Sequence, residues 1–233
     1  GGLAEGPLRL GLWGAALAIE YISPAAGFVV PGLGRSKTTD WNVEGSHIAE
    51  RCALFIIIAL GESILVTGAT FAGLEWNAVT ATAFVVAFVG SIALWWIYFN
   101  IGAEKAAHTI EHADDPGRLA RLAYTYLHIP IIAGIVVCAV ADELVLAHPT
   151  GHSDTKLLIA GVGGPALYLV GNALFKHAIY NRVPLSHMIG LALLALLAFF
   201  GAQLEPLTLC TLSTVALIVV AAWETCSLTP KRS

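Results

Sequence analysis

The sequence predicts an all-α, polytopic transmembrane helix bundle of about seven helices, and three observations lead there. First, 57% of the 233 residues are hydrophobic and only 12% are charged, about half the charged share of an ordinary soluble domain. Second, the mean hydropathy is +0.77, and the apolar residues fall in blocks of about 20, the number a helix needs to cross a hydrocarbon core of about 30 Å. Third, the blocks are continuous rather than alternating. Lipid offers no partners for backbone N–H and C=O groups, so only helices or closed barrels cross it, and continuous blocks select helices.

Taken in chain order, the spans read Leu8–Val30, His47–Ala72, Ala78–Ile101, Leu122–Ala147, Lys156–Tyr180, Leu185–Gln203 and Leu207–Leu228. Pro31-Gly32-Leu33-Gly34 opens the first loop, Asp114-Asp115-Pro116-Gly117 breaks the third and Pro149-Thr150-Gly151 marks the fourth, as turn-forming residues do. Pro184 and Pro206 stand at the starts of the last two spans, where a missing N–H costs nothing. Gly102–Ala113 is polar and reads as an extension of the third helix beyond the membrane. The whole chain, 1–233, forms a single multi-pass membrane domain. It begins at Gly1 rather than Met, and reads as a fragment of a longer protein whose N-terminal helices are missing.

Lys and Arg accumulate in cytoplasmic loops. With seven spans, Arg9 and Lys156 fall on one side. Arg35, Lys37, Arg51, Lys105, Arg118, Arg121, Lys176, Arg182, Lys231 and Arg232 fall on the other. The expected orientation puts the N-terminus of the chain outside and the C-terminus in the cytoplasm.

Several classes drop out. The net charge of −4, with no basic stripe, argues against a nucleic-acid partner. Cys52, Cys138, Cys210 and Cys226 form no C-x-x-C pair and read as small buried hydrophobes. Phosphate-binding and dinucleotide-binding glycine patterns are absent. A retinal protein needs a Lys in the last span for its Schiff base, and Leu207–Leu228 has none. No cofactor is expected. The partners expected are the lipid bilayer and a small solute or ion.

Ionisable side chains at membrane depth are costly, about 2.5–3.5 kcal/mol each on insertion scales, and are functional candidates by default. The second span is the richest in them. Arg51 and Glu62 are eleven residues apart, so they fall within about 20° of each other around the helix, with His47 one turn before Arg51. One face is expected to present His47, Arg51, Glu62 and nearby Ser63, with Glu50 beside them. Glu62 would sit close to mid-membrane, able to carry a proton or hold a cation. The plain alternative is a carboxylate that bonds a neighbouring helix and fixes packing. Glu20, inside the first span, is a second candidate carboxylate.

In the fourth span, His128 stands before Pro130 as a packing histidine or a proton relay, and Asp142-Glu143 is expected to reach outer water. In the fifth, Asn172 is a buried polar candidate. Gly161, Gly163 and Gly164 before Pro165 are expected to allow close helix contact.

His108-Thr109-Ile110-Glu111-His112 matches the H-x-x-E-H signature of a zinc protease family. Its surroundings, including Asp114 and Asp115, read as an ordinary solvated helix extension, and no third ligand follows in a comparable helical context. Metal chemistry is therefore not expected.

The string His47-Ile48-Ala49-Glu50-Arg51-Cys52-Ala53-Leu54-Phe55, followed by Ile58-Ala59-Leu60-Gly61-Glu62-Ser63-Ile64, resembles the bacterial low temperature requirement protein A family. So do Trp95-Trp96-Ile97-Tyr98-Phe99, Asp115-Pro116-Gly117-Arg118-Leu119-Ala120-Arg121, and Tyr124-Thr125-Tyr126-Leu127-His128-Ile129-Pro130 with Ala133-Gly134-Ile135. The similarity runs from about Trp41 onward, and the chain resembles the C-terminal portion of typical members. The resemblance implies a bacterial inner-membrane protein connected with growth in the cold. It supplies no catalytic residues.

The function expected is a transporter or channel-like permease for a small solute or ion, with Glu62, Arg51, His47, Glu50, Ser63, Glu20 and His128 as candidate path residues and no enzymatic activity. The alternatives are a non-catalytic membrane scaffold or stress protein, and a membrane enzyme using His108, Glu111, His112, Asp114 and Asp115.

Overall fold

The computed structural model describes residues 2–29, 32, 34–38, 44–100, 108–110 and 112–228. The protein is all-helical. Its helices are α1 (Gly6–Ala25), α2 (Gly45–Ala72), α3 (Ala78–Phe99), the short α4 (Pro116–Ala120), α5 (His128–Ala147), α6 (Thr155–Tyr180), α7 (Leu185–Phe200) and α8 (Pro206–Leu228). A π-helical stretch, Arg121–Tyr126, joins α4 to α5. Among the described residues, six segments are long and apolar enough to cross a membrane: α2, α3, Pro116–Ala147, α6, Leu185–Gln203 and Pro206–Ser227. The fourth span thus starts six residues before the Leu122 expected. Gly102 to Lys105 and onward to Ala107, with Glu111, lie outside the described residues, as do Val30 and Ile101.

The remaining long helix, α1, has 20 residues and none buried. It carries Arg9 and Glu20 and is not among the six. Its C-terminal end is tied to the π-helical stretch. The Tyr126 hydroxyl donates to the Tyr21 carbonyl at 2.6 Å, and the Arg121 guanidinium donates to the Pro24 carbonyl.

Local signals set the helix ends. Asn77 caps α3, accepting from the Val79 and Thr80 amides at 2.9 and 3.0 Å, with the Thr80 hydroxyl accepting back from the Asn77 amide, a reciprocal capping box. Asp154 accepts from the Leu157 amide at 2.8 Å, and Asn181 closes α6 in the left-handed conformation at φ 51°, a role Asn tolerates. In the π turn the Leu127 amide bonds to Leu122, five back, at 3.0 Å, and Pro130, three residues on, has no N–H for the Tyr126 carbonyl.

The most buried helix is α6. It lies against α5 with almost no gap. A Cβ added at Gly134 would stand 2.5 Å from the Tyr168 amide nitrogen, and one at Gly171 would stand 2.8 Å from that of Ile131. Gly164 faces the Cys138 backbone in the same way, Gly161 faces the Cys210 side chain of α8, and Gly163 has open space. Small residues let helix backbones approach, the main source of helix association where lipid removes the hydrophobic drive. α7 and α8 pack on α6 and on each other, α3 packs on α8, and α2 packs on α3 and α5. Large apolar side chains such as Leu54, Phe55, Ile58 and Leu65 face outward from α2. A surface of this kind belongs in lipid rather than water.

Candidate functional site

The interior holds a polar cluster where α6, α7 and α8 meet. The Lys176 ammonium donates to both oxygens of the Glu224 carboxylate, at 2.6 and 2.7 Å. The two side chains are only 6% and 9% exposed. The Ser186 hydroxyl donates to the same carboxylate at 3.3 Å, and His187 Nδ1 lies 3.3 Å from Glu224 Oε1. On its other side, His187 Nε2 is 3.0 Å from the Asn172 amide. Asn172 and His187 are fully buried. Spacing brings these groups together: Asn172 and Lys176 are four apart on α6, so they share a face, and Pro184 starts α7 so that Ser186 and His187 fall in its first turn.

The protons of this cluster can be placed in more than one way. With Asn172 Oδ1 toward the ring, His187 Nε2–H donates and the Asn172 Nδ2 group is left buried without a partner. With the amide turned over, Nδ2 donates to His187 Nε2 and His187 Nδ1–H donates to Glu224, and the unpartnered position passes to the Asn172 oxygen. An imidazole between a carboxylate and an amide, with two proton arrangements, is suited to passing a proton or responding to a neighbouring cation.

On α5, His128 is held in an aromatic box formed by Tyr98, Tyr124 and Phe175, with ring centroids 5.1–5.8 Å from its own. Its Nδ1 bonds the Ala123 carbonyl at 2.9 Å, and its Nε2 bonds the Tyr98 hydroxyl at 2.9 Å. A carbonyl only accepts, so Nδ1 carries a hydrogen; in the neutral ring Nε2 then accepts from Tyr98. The π turn favours this fit, because the Leu127 amide goes to Leu122 rather than to the Ala123 carbonyl that the ring reaches. Of the two expectations for His128, the geometry matches the packing histidine.

Toward the C-terminal end of α5 lies a cavity of about 30 Å³, lined in part by Ser91, Cys138, Asp142, Cys210, Ser213 and Thr214. Ser213 is 3% exposed, and its hydroxyl has no hydrogen-bond partner. Asp142 therefore does not simply reach outer water as expected; Glu143 is the exposed member of the pair. Gly161, Pro165, Tyr168, Asn172 and Lys176 are spaced by four, three, four and four along α6, a single stripe. The stripe runs from this cavity, past the buried Tyr168, to the ion pair.

The face expected on α2 is arranged differently. His47, Glu50, Arg51 and Glu62 are all exposed, and the interior placement expected for Glu62 and Arg51 is not what the structure shows. The buried residues of α2 are Gly45, Ala49, Ile56, Leu60, Ser63 and Thr67. At about 100° per residue, Arg51 and Glu62 stand nearly opposite that row, and Ser63 belongs to the row rather than to the charged face. His47 pairs with Glu44 at 3.1 Å near the helix start, where both side chains are exposed. Glu20 is exposed on α1. None of these charged candidates joins the interior cluster.

Sequence reasoning missed Glu224 and His187, and counted Lys176, near the end of the fifth span, among the charges on the cytoplasmic side. Lys176 is instead a buried helical residue and does not belong in the charge tally. The signal that could have found the pair was the Asn172–Lys176 spacing in an apolar span, matched by a single carboxylate in the last span. His108 and His112 stack at 4.0 Å, while Glu111 lies outside the described residues. Asp115 is engaged elsewhere: it caps α4, accepting from the Arg118 amide at 2.9 Å, and accepts from the Thr38 hydroxyl at 2.7 Å.

Six membrane-length helices around a buried ion pair define a multi-pass helical membrane protein. Residues 1–222 match the family model described as bacterial low temperature requirement A protein (LtrA), and the chain belongs to that family. The match includes α1, ahead of the Trp41 from which the resemblance is legible in the residues themselves. Over 225 residues the chain is 38% identical to an uncharacterized protein of Rhizobium meliloti (strain 1021), covering 96% of this chain and 55% of that protein. The chain thus spans about half the length of the curated relative it matches. No solved structure matches it.

Proposed function

We propose that this chain forms part of a permease or channel-like conductor for a small ion or solute in the bacterial inner membrane, with its C-terminus in the cytoplasm. One observation carries the proposal: the buried Lys176–Glu224 pair, linked through His187 to Asn172 inside membrane-spanning helices. Burying both charges is expensive, and ionisable groups buried within membrane-spanning segments typically mark substrate or proton pathways. The reading moves the expected path from the Glu62–Arg51 face of α2 to the interior where α6, α7 and α8 meet. It assigns no catalytic residue, and it is compatible with the family's implied connection to growth in the cold.

A second reading, a membrane scaffold without flux, draws support from the saturation of Glu224. Its carboxylate already takes Lys176, Ser186 and His187, as a packing lock would. Proton and cation flux in proteoliposomes, measured for the unaltered protein, Glu224→Gln and Glu62→Gln, separates the readings. Loss of flux in folded Glu224→Gln, with Glu62→Gln retaining it, is the expected result. Loss confined to Glu62→Gln would return the path to the outer face of α2. Absence of flux in every case, with Glu224→Gln only lowering thermal stability, would favour the scaffold.

A further inference from the structure

The cavity near the C-terminal end of α5 has no part in the Lys176 cluster, yet it combines features a plain packing defect lacks. Its volume of about 30 Å³ exceeds the roughly 10–15 Å³ that one water needs. Its wall carries the Asp142 carboxyl and the Ser213 hydroxyl. Ser213 is almost completely buried and its Oγ is unpartnered, although buried hydroxyls are nearly always satisfied. Ser91 and Thr214 add further hydroxyls. A polar cavity of that size, with an orphaned hydroxyl and a carboxyl on its wall, is a site for bound water.

We propose that Asp142 and Ser213 hold a water between them and form a proton-exchange site. The carboxyl O–H bond of Asp142 breaks as the proton moves to the water oxygen, leaving carboxylate and hydronium. The hydronium then releases its proton to solvent at the end of α5, five residues beyond Asp142 and about 7.5 Å along the axis. The reverse sequence reloads the carboxyl. Ser213 accepts a hydrogen bond from the water and orients it. The other titratable groups lining the cavity are the thiols of Cys138, on α5 itself, and Cys210, on α8; α3 and α6 contribute Gly90, Ser91, Leu94, Gly161 and Pro165, none titratable. Among the described residues, no cation on the wall competes for the carboxylate. The site deepens the conduction reading by naming the proton as the ion, and rests on that reading for this role alone.

The test is infrared difference spectroscopy of the full chain in lipid nanodiscs, titrated with acid and base. The expected result is a protonated-carboxyl C=O band that titrates reversibly and disappears in Asp142→Asn. In Ser213→Ala the band stays but its midpoint moves upward by about one pH unit, because the water loses the partner that holds it in place to donate to the Asp142 carboxylate. A band that titrates identically in Asp142→Asn, or no titrating carboxyl band at all, would overturn the proposal. If Asp142→Asn does not fold, Ser213→Ala decides: an unmoved midpoint in the folded variant also overturns it. Proteoliposome flux keeps the two proposals apart. A titrating Asp142 in a protein with no proton flux upholds the site and sinks proton conduction. Flux that depends on Glu224 while Asp142 stays silent sinks the site and leaves conduction standing.

Discussion

Glu224 is the residue on which most of the interior depends. Removing one member of a buried ion pair strands the other, at a cost of about 3–5 kcal/mol, while replacing both by apolar residues of similar size is close to neutral. Glu224→Gln should therefore lower the thermal unfolding temperature in detergent sharply, and Lys176→Met combined with Glu224→Leu should recover most of the loss. Recovery of stability without recovery of flux would mark the charges as functional rather than architectural. The Tyr98–His128 pair makes a smaller claim. Tyr98→Phe leaves His128 Nε2 buried without its partner and should cost about 1–3 kcal/mol, read from the same melts. Glu62→Gln, on the outer face of α2, removes no contact within the bundle and should change stability by less than about 0.5 kcal/mol.

Between elements, the tightest constraint is the α5–α6 contact. Gly134 sits against the backbone of Tyr168, and a backbone cannot move aside as a side-chain tip can. Gly134→Ala is expected to push the helices apart and cost about 1–3 kcal/mol by overpacking. Gly163→Ala, on the same glycine-rich stretch of α6 but facing open space, should be neutral in a parallel melting experiment. The separation of α5 from α6 would also carry Tyr168 away from the Leu94 carbonyl, which its hydroxyl reaches at 2.6 Å. A perturbation at Gly134 should thus be felt at α3.

Across the whole molecule, the segment before α2 is latched to the start of α4. The Thr38 hydroxyl and the Arg118 amide both donate to Asp115, and the Thr38 hydrogen bond, more than the Arg118 one, holds the Asp115 carboxyl below its usual range. Gly117 makes the latch possible, since a Cβ there would collide with the Thr38 carbonyl. A carboxyl with a lowered folded pKa contributes stability above its unfolded value, about 3.9, and loses it as pH falls through the folded value. The latch should therefore be intact at neutral pH and release only in acid below the ordinary aspartate range. Hydrogen exchange at residues 34–38 should accelerate there, and Asp115→Asn should show the same acceleration at neutral pH.

The sequence by itself determined the class of fold and the helices, with ends that the structure moves by up to about six residues. Those properties depend on local facts: apolar length against membrane thickness, proline without an N–H, a capping Asn or Asp, and glycines too small to hold helices apart. It also determined that His47, Arg51 and Glu62 share one stripe, because helical period is a property of the backbone. Which way that stripe faces was a matter of packing. The row from Ala49 through Ile56, Leu60, Ser63 and Thr67 buries itself against α3 and α5, and the charges are left on the outside. The pairing of Lys176 with Glu224, 48 residues away, and the gathering of Asp142 with Ser213 were likewise decided only by tertiary structure. No local signal says which buried charge will meet which, since that depends on where whole helices come to lie.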